Sequence, residues 1–388
     1  MKKISMLLML LLASVFILAA CSGGSTESSG ESNGESSGAS SSGESSNSEE
    51  TIKLRVGSGV TQEHFSYQSF FNAWMERVEE ETNVEFELHL GGSLISMGQG
   101  FEALNDGLVD VVMPLYPLYD TQRFPLSEVS MLPVVDTTVN AASKAYADIV
   151  FGNVDIVDGK NYQELEFGDR DLKLWPAPTT EAYSMSFANG QPTSMDDISG
   201  LSMRTPGRVL EIFSREIGVN PVSLPATEAY DALSRGAIDG IYFSISDWSS
   251  YGLDELFDYT IRGANLGYFS HIFGMTQQTW DSLPADVQDV MERVTHELIM
   301  SDQTYQTFRD LEEKDLTANA EVGGVVEHIS DQPQDIQDDV SSAMVNTWLE
   351  WIRINEENGV PGREIAKIWR DLIIEYGGDV PQEIHNLE

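Results

Sequence analysis

The sequence predicts an α/β protein of two lobes with helical additions, and three observations lead there. A strand, a helix and a second strand follow one another from Ile52. A similar helix-to-strand unit occurs twice, at 101–112 and 230–241. The chain beyond residue 50, about 338 residues, is too long for one small core and suits two.

The elements follow in chain order. Ile52, Leu54 and Val56 alternate as a strand does, and Phe70, Trp74 and Val78, flanked by Phe71 and Met75, form a helical stripe. Asn83 breaks it, and Val84, Phe86, Leu88 and Leu90 alternate again. A strand, helix and strand at this spacing imply a parallel pair. "FEALNDGLVDVV" and "YDALSRGAIDGI" share an aromatic, Ala-Leu, a glycine three residues on and an aspartate three further. Gly107 and Gly236 then read as left-handed caps that end a helix before a buried strand. Either two similar lobes repeat one unit, or a common helix-to-strand turn recurs. Between them Leu201 and Met203 make a strand, Val209, Leu210, Phe213 and Ile217 a helix ended by Gly218, and Val219 to Leu224 another strand. Thr227 is a candidate N-cap for the helix leading to Gly236. From Pro284 a long helix is expected with Val287, Val290, Met291, Val294 and Leu298 on one face, and Trp348, Trp351 and Ile352 mark a mainly helical C-terminal third.

Before the folded part, Lys2 and Lys3 precede an apolar run from Ile4 to Ala20 that ends in Leu-Ala-Ala-Cys. Residues 1–20 have the pattern of a secretory signal peptide, and the last four letters resemble the lipobox of bacterial lipoproteins, which makes Cys21 the expected lipid anchor. Cys21 is the only cysteine, so internal disulfides and thiolate clusters are excluded. Residues 21–50 then form the expected anchor and tether, a Ser, Gly, Asn and Glu segment with a coil reach of roughly 30 Å. The formal net charge is −41, from 63 acidic and 22 basic residues. Such a surface excludes a nucleic-acid partner and fits adaptation to high salt or high pH.

Catalytic chemistry is not legible. No two of the six histidines stand at metal-ligand spacing, and His296-Glu297 lacks the second histidine of a zinc-protease motif. Nucleophile elbow, phosphate loop and dinucleotide fingerprint are all missing. "NVDIVDGKN", with Asp155, Asp158 and Gly159, lacks the closing glutamate of a calcium loop and reads as an Asp-Gly turn. No metal or cofactor is expected. An exported two-lobed α/β chain without catalytic motifs has the profile of a solute receptor with an interlobe cleft.

Five segments in order carry a resemblance over about residues 51–320: "GGSLISMGQGFEALNDGLVDVVM", "RFPLSEVSMLPVV", "QPTSMDDISGLSMRTPGR", "GVNPVSLPATEAYDALSRGAIDG" and "TWDSLPADVQDVMERV". Together they resemble the DctP-type solute-binding proteins of TRAP (tripartite ATP-independent periplasmic) transporters. The resemblance implies a periplasmic-binding-protein-like clamshell with a long helix running along both lobes. Lobe I is expected from 51–181 and about 266–310, and lobe II from 182–265 and about 311–388. It also implies capture of an organic acid by lobe closure, with delivery to a permease of a small and a large membrane subunit and no enzymatic step. The alternative is a ligand-sensing lipoprotein that feeds a histidine kinase or chemoreceptor.

In that family the arginine of Arg-x-Pro binds a carboxylate, and here it matches Arg204 of "GLSMRTPGR". A guanidinium suits this because its planar fork takes a carboxylate through two parallel hydrogen bonds and stays charged. The competing role is an ion pair with one of the chain's many carboxylates. Many relatives have a second arginine about twenty residues earlier, where this chain reads "TTEAYSMSFANG" without a basic residue. Where many have an asparagine after Asp-Gly, this chain has Phe243 and then Ser244. The site therefore reads as suited to a monocarboxylate with an apolar or aromatic body. Phe65, Tyr116, Trp175, Tyr183 and Phe243 are candidate walls, with ordinary core as the other role of each.

Overall fold

The structure, a computed structural model, describes residues 50–388; the leader, Cys21 and the tether lie outside the described residues. Strand β1 (Ile52–Gly57) runs parallel to β2 (Val84–His89), with Leu54 opposite Phe86, and the helix Asn72–Glu81 crosses between them. Trp74 and Val78 of that helix are fully buried, so the apolar stripe faces the core as its spacing requires. β3 (Val111–Leu115) pairs parallel with the other side of β1, and β4 (Leu172–Pro176) completes the chain's first pass through this sheet.

The chain then crosses to a second sheet. There β5 (Ser184–Phe187), β6 (Ser202–Thr205), β7 (Asn220–Ser223), β8 (Gly240–Phe243) and β9 (Tyr259–Arg262) assemble. β10 (Ile272–Thr276) returns to the first sheet, and β11 (Val325–His328) ends in the second. The first sheet has the order β2-β1-β3-β10-β4 and the second β11-β9-β5-β8-β6-β7. β5 and β10 are antiparallel to their neighbours, whereas β11 is parallel to β9. Two short segments, 177–183 and 263–271, link the sheets side by side, and a third crossing, from β10 to β11, runs through the helices of 277–321.

The internal echo is structural. Gly107 and Gly236 have φ of 66° and 64°, and the next residue of each donates back across the cap, Leu108 N to Ala103 O at 3.0 Å and Ala237 N to Ala232 O at 2.9 Å. The shared aspartates also act alike. Asp110 Oδ2 accepts from Arg55 N of β1 at 2.8 Å, and Asp239 Oδ2 accepts from Ser202 N of β6 at 2.8 Å. Each aspartate satisfies a strand N–H that its sheet leaves unpaired, so the repeat sets β3 beside β1 and β8 beside β6.

Three expectations need correction. The long helix after Pro284 is two helices, Ala285–Met300 and Gln306–Glu321. Thr304 Oγ1 donates to Leu298 O and Tyr305 Oη to Ile299 O, at 2.7 and 2.8 Å, so side chains take the carbonyls of the last turn and the chain breaks there. Thr227 lies within the turn Ala226–Glu228, and the helix Ala229–Ser234 starts after Glu228 without a side-chain cap. Residues 311–388 do not pack with the second sheet alone. The helix Gln334–Glu357 lies on Arg208–Glu216 of that lobe, whereas Gly362–Glu375 packs on Val139–Val150 of the first. Asp158 and Gly159 form the expected turn, with φ of 53° and 75°.

Candidate functional site

Residues from both sheets meet at the ends of the strands. The loop after β1 supplies His64 and Phe65, and the residue after β3 is Tyr116; β6 carries Arg204 and β8 ends at Phe243. The crossing segments add Tyr183, just before β5, and His271, just before β10. In open α/β sheets ligands bind beyond the carboxyl ends of the parallel strands, and here both sheets direct those ends at one narrow cavity. Its wall is aromatic, with Phe65, Tyr116, Tyr183, Phe243, Tyr251 and Phe269 among its residues, and no Lys or Arg lines it directly.

Arg204 stands at its edge, 1% exposed, with its guanidinium carbon 5.4 Å from the centre of the Phe243 ring. Nε donates to Leu224 O at 2.9 Å and Nη1 to Tyr242 O at 3.3 Å. Among the described residues Arg204 has no carboxylate within ion-pair distance, and its guanidinium lies near the Tyr183 hydroxyl, whose ionisation it favours. The two carbonyls hold the fork still and leave its charge uncompensated. A buried cation without a counter-ion is costly, which is the condition an anionic ligand relieves. Burial pushes the Tyr119, Tyr183, Tyr251 and Asp247 ionisations up, and the Arg204 charge opposes that rise in all four. Its field therefore reaches the cavity.

The other polar groups are neutral. Burial drives the Asp247 carboxyl up to about 8; Ser244 Oγ, donating to Oδ2 at 2.9 Å, opposes this, and nearby Asp315 adds to it. The cavity thus keeps an acid protonated at neutral pH and leaves the Arg204 charge in force. Burial pushes His64 down to about 3, with His271 adding to the shift, and pushes His271 down to about 3 as well. His64 is held by Ser66 Oγ at 2.7 Å and Tyr251 Oη at 3.3 Å. Both ring nitrogens of His271, the Tyr116 hydroxyl and Asp247 Oδ1 are buried without a hydrogen-bond partner.

Phe65, Tyr116, Tyr183 and Phe243 come together on this cavity, with Arg204 beside Phe243. Besides Arg204, which stands behind Phe243, two expected site residues do not line it. Trp175 is fully buried in the first lobe, its ring 5.3 Å from Phe273 and 5.3 Å from Trp280, because β4 directs it into the core between sheet and helices. Ser244 is also fully buried and acts through Asp247. Sequence reasoning missed His64, His271, Asp247, Tyr119, Tyr251 and Phe269. The signal for His271 and Asp247 was a polar residue inside an apolar stretch, "YFSHIFGM" and "IYFSISDW", which is where a buried titratable group shows itself.

Among the described residues no cluster of His, Cys, Asp and Glu could hold a metal ion, and no helix is long and apolar enough to cross a membrane. The pattern of bacterial extracellular solute-binding protein family 7, DctP, matches residues 56–351. The C4-dicarboxylate-binding periplasmic protein DctP of Rhodobacter capsulatus is 26% identical over 253 residues, 64% of this chain and 72% of that protein. A marine-metagenome TRAP solute-binding protein specific for aromatic acid ligands, solved with metahydroxyphenylacetate, superposes with a TM-score of 0.71 at 22% identity, over 84% of this chain and 99% of the other. A TRAP solute-binding protein from Rhodoferax ferrireducens, solved with copurified benzoate, gives 0.70 at 21% identity, over 84% and 98%.

Proposed function

Because the chain belongs to the DctP family of bacterial extracellular solute-binding proteins, and is a TRAP solute-binding receptor rather than an enzyme, we propose that its ligand is a monocarboxylate with an aromatic or apolar body. The observation that carries this reading is Arg204, a buried cation that no protein carboxylate neutralises, set at the edge of an aromatic cavity. A single cation matches a single carboxylate, and the ring-lined wall favours a flat apolar body over a second charged group. The structural neighbours crystallised with metahydroxyphenylacetate and benzoate support the same ligand class.

Capture follows from where the two sets of side chains sit. Arg204, Phe243 and Asp247 belong to the second lobe, Phe65 and Tyr116 to the first, so a ligand touches both sets only when the lobes are together. Binding then favours the closed state, because only there does the ligand interact with both lobes at once. The closed receptor would hand its ligand to a permease of a small and a large membrane subunit. A lipid on Cys21 and the tether that follows would keep it at the outer face of the membrane and raise its effective concentration beside that permease. Incorporation of labelled palmitate that is lost in Cys21→Ala tests the anchor. Calorimetry tests the site: Arg204→Ala is expected to weaken binding of the copurified acid at least about tenfold, and unchanged affinity refutes the assignment.

A further inference from the structure

The aromatic wall is a closed circuit with two unlike poles. From Phe243 one arc passes through Tyr251, His64 and Phe65 to His271, with successive ring centres 5.5, 6.0, 4.5 and 5.9 Å apart. From His271 the other arc returns through Tyr116, Phe269 and Tyr183 to Phe243, at 5.9, 6.1, 6.3 and 5.6 Å. His271 stands halfway round from Phe243 on either path. Arg204 holds the Phe243 pole. The His271 pole carries no charge and yet is polar.

His271 is 1% exposed, lines the cavity, and has neither ring nitrogen in a hydrogen bond; the Tyr116 hydroxyl beside it is likewise without a partner. Buried polar atoms are almost always paired, and leaving one unpaired costs about 1–3 kcal/mol. Both residues line the cavity, and the protein gives none of these three atoms a hydrogen-bond partner. Burial keeps the ring neutral, and a contact with the Phe269 backbone, outside hydrogen-bond geometry, offsets that only in part. A neutral imidazole presents one N–H donor and one acceptor nitrogen. A second carboxylate would bring a charge to a pole that holds no cation. A hydroxyl both donates and accepts, and it fits.

We propose that His271, with the Tyr116 hydroxyl, is the specificity determinant of this cavity and selects a hydroxyl group at the end of the ligand opposite its carboxylate. The ligand class is then a ring-hydroxylated aromatic monocarboxylate, its ring set among the aromatic side chains that line the cavity. This rests on the reading that Arg204 takes the carboxylate. Sites that hydrogen-bond a ligand hydroxyl reject analogues lacking it more strongly than apolar pockets reject a missing methylene.

The test is calorimetry of phenylacetate and its 3- and 4-hydroxy derivatives with wild type, His271→Phe and Arg204→Ala. The better hydroxy acid is expected to bind wild type at least about tenfold tighter than phenylacetate. In His271→Phe, which keeps a ring and removes the nitrogens, that gap is expected to fall below about threefold with phenylacetate itself retained. If His271→Phe does not fold, His271→Met is judged by the same criterion. No hydroxyl preference in wild type, or one that survives replacement of His271, overturns the inference. Loss of phenylacetate binding in Arg204→Ala would then still leave the carboxylate reading standing. Failure of all three acids to bind wild type overturns both.

Discussion

Two arginines four residues apart, at the end of β6 and the start of the next helix, lead opposite lives. Arg208 donates Nε to the buried Glu128 at 2.8 Å, directs Nη2 to the same carboxylate, and reaches Asn355 Oδ1 at 3.2 Å. Trp351 Nε1 donates to that carboxylate at 2.9 Å, so a segment of the first lobe, a helix of the second and a C-terminal helix meet on one charge pair. Burial still raises the Glu128 carboxyl overall, against the pull of Arg208. Arg204 is more deeply buried, yet it meets no carboxylate, only two backbone carbonyls, the Tyr183 hydroxyl and the face of Phe243. An arginine paired to a buried carboxylate is architecture, and a buried one without a counter-ion beside a cavity is the one proposed to receive an anion.

The sharpest way to separate the two is to give each the same substitution. Arg208→Met leaves Glu128 buried without its cation and is expected to cost about 3 kcal/mol of folding stability in urea titrations, with Glu128→Gln recovering part of the loss. Arg204→Met is expected to do the reverse. Anion affinity should drop at least about tenfold, while stability of the ligand-free protein stays level or rises, because an apolar chain replaces an uncompensated buried charge. If Arg204→Met unfolds the protein as Arg208→Met does, the distinction between them is broken.

A smaller effect follows from Asp247. Its carboxyl is protonated below about pH 8, so between pH 6 and 7 the charged group acting on the cavity is Arg204, with Asp315 behind Asp247 and both histidines neutral. As pH rises through about 8, Asp247 ionises and repels an anion. Affinity is expected to be flat below that point and to fall by up to about tenfold above it, and Asp247→Asn should remove the fall. The sign for stability agrees. The folded ligand-free state holds a proton that the unfolded chain releases, so this contribution is full below the ordinary aspartate pKa and is lost as pH rises through about 8. An affinity that rises with pH would contradict the placement of Asp247.

The fold was largely legible because its signals are local. Period-2 and helical stripes placed β1, β2 and the helix between them, and two glycine caps followed by aspartates exposed the repeat. The break after Met300 was not legible, because it depends on Thr304 and Tyr305 reaching carbonyls behind them, and the stripe stops without saying so. At the site, Arg204 stood out by scarcity of charge, and the aromatics by type. Sequence could not tell Trp175 from Tyr183, since both are large rings close to the crossing. A strand's facing decides which one meets the cavity and which the core. His271 and Asp247 have meaning only through burial without partners, a property of the assembled lobes.

The central claim is that the charge of Arg204 is completed by a ligand carboxylate. Native mass spectrometry of the wild-type protein and Arg204→Met, purified side by side, tests it most directly. The wild type is expected to carry the mass of one organic acid, released on denaturation, and Arg204→Met to carry none. Equal retention of the acid by both, or a wild type that neither carries nor takes up an acid, would contradict the account.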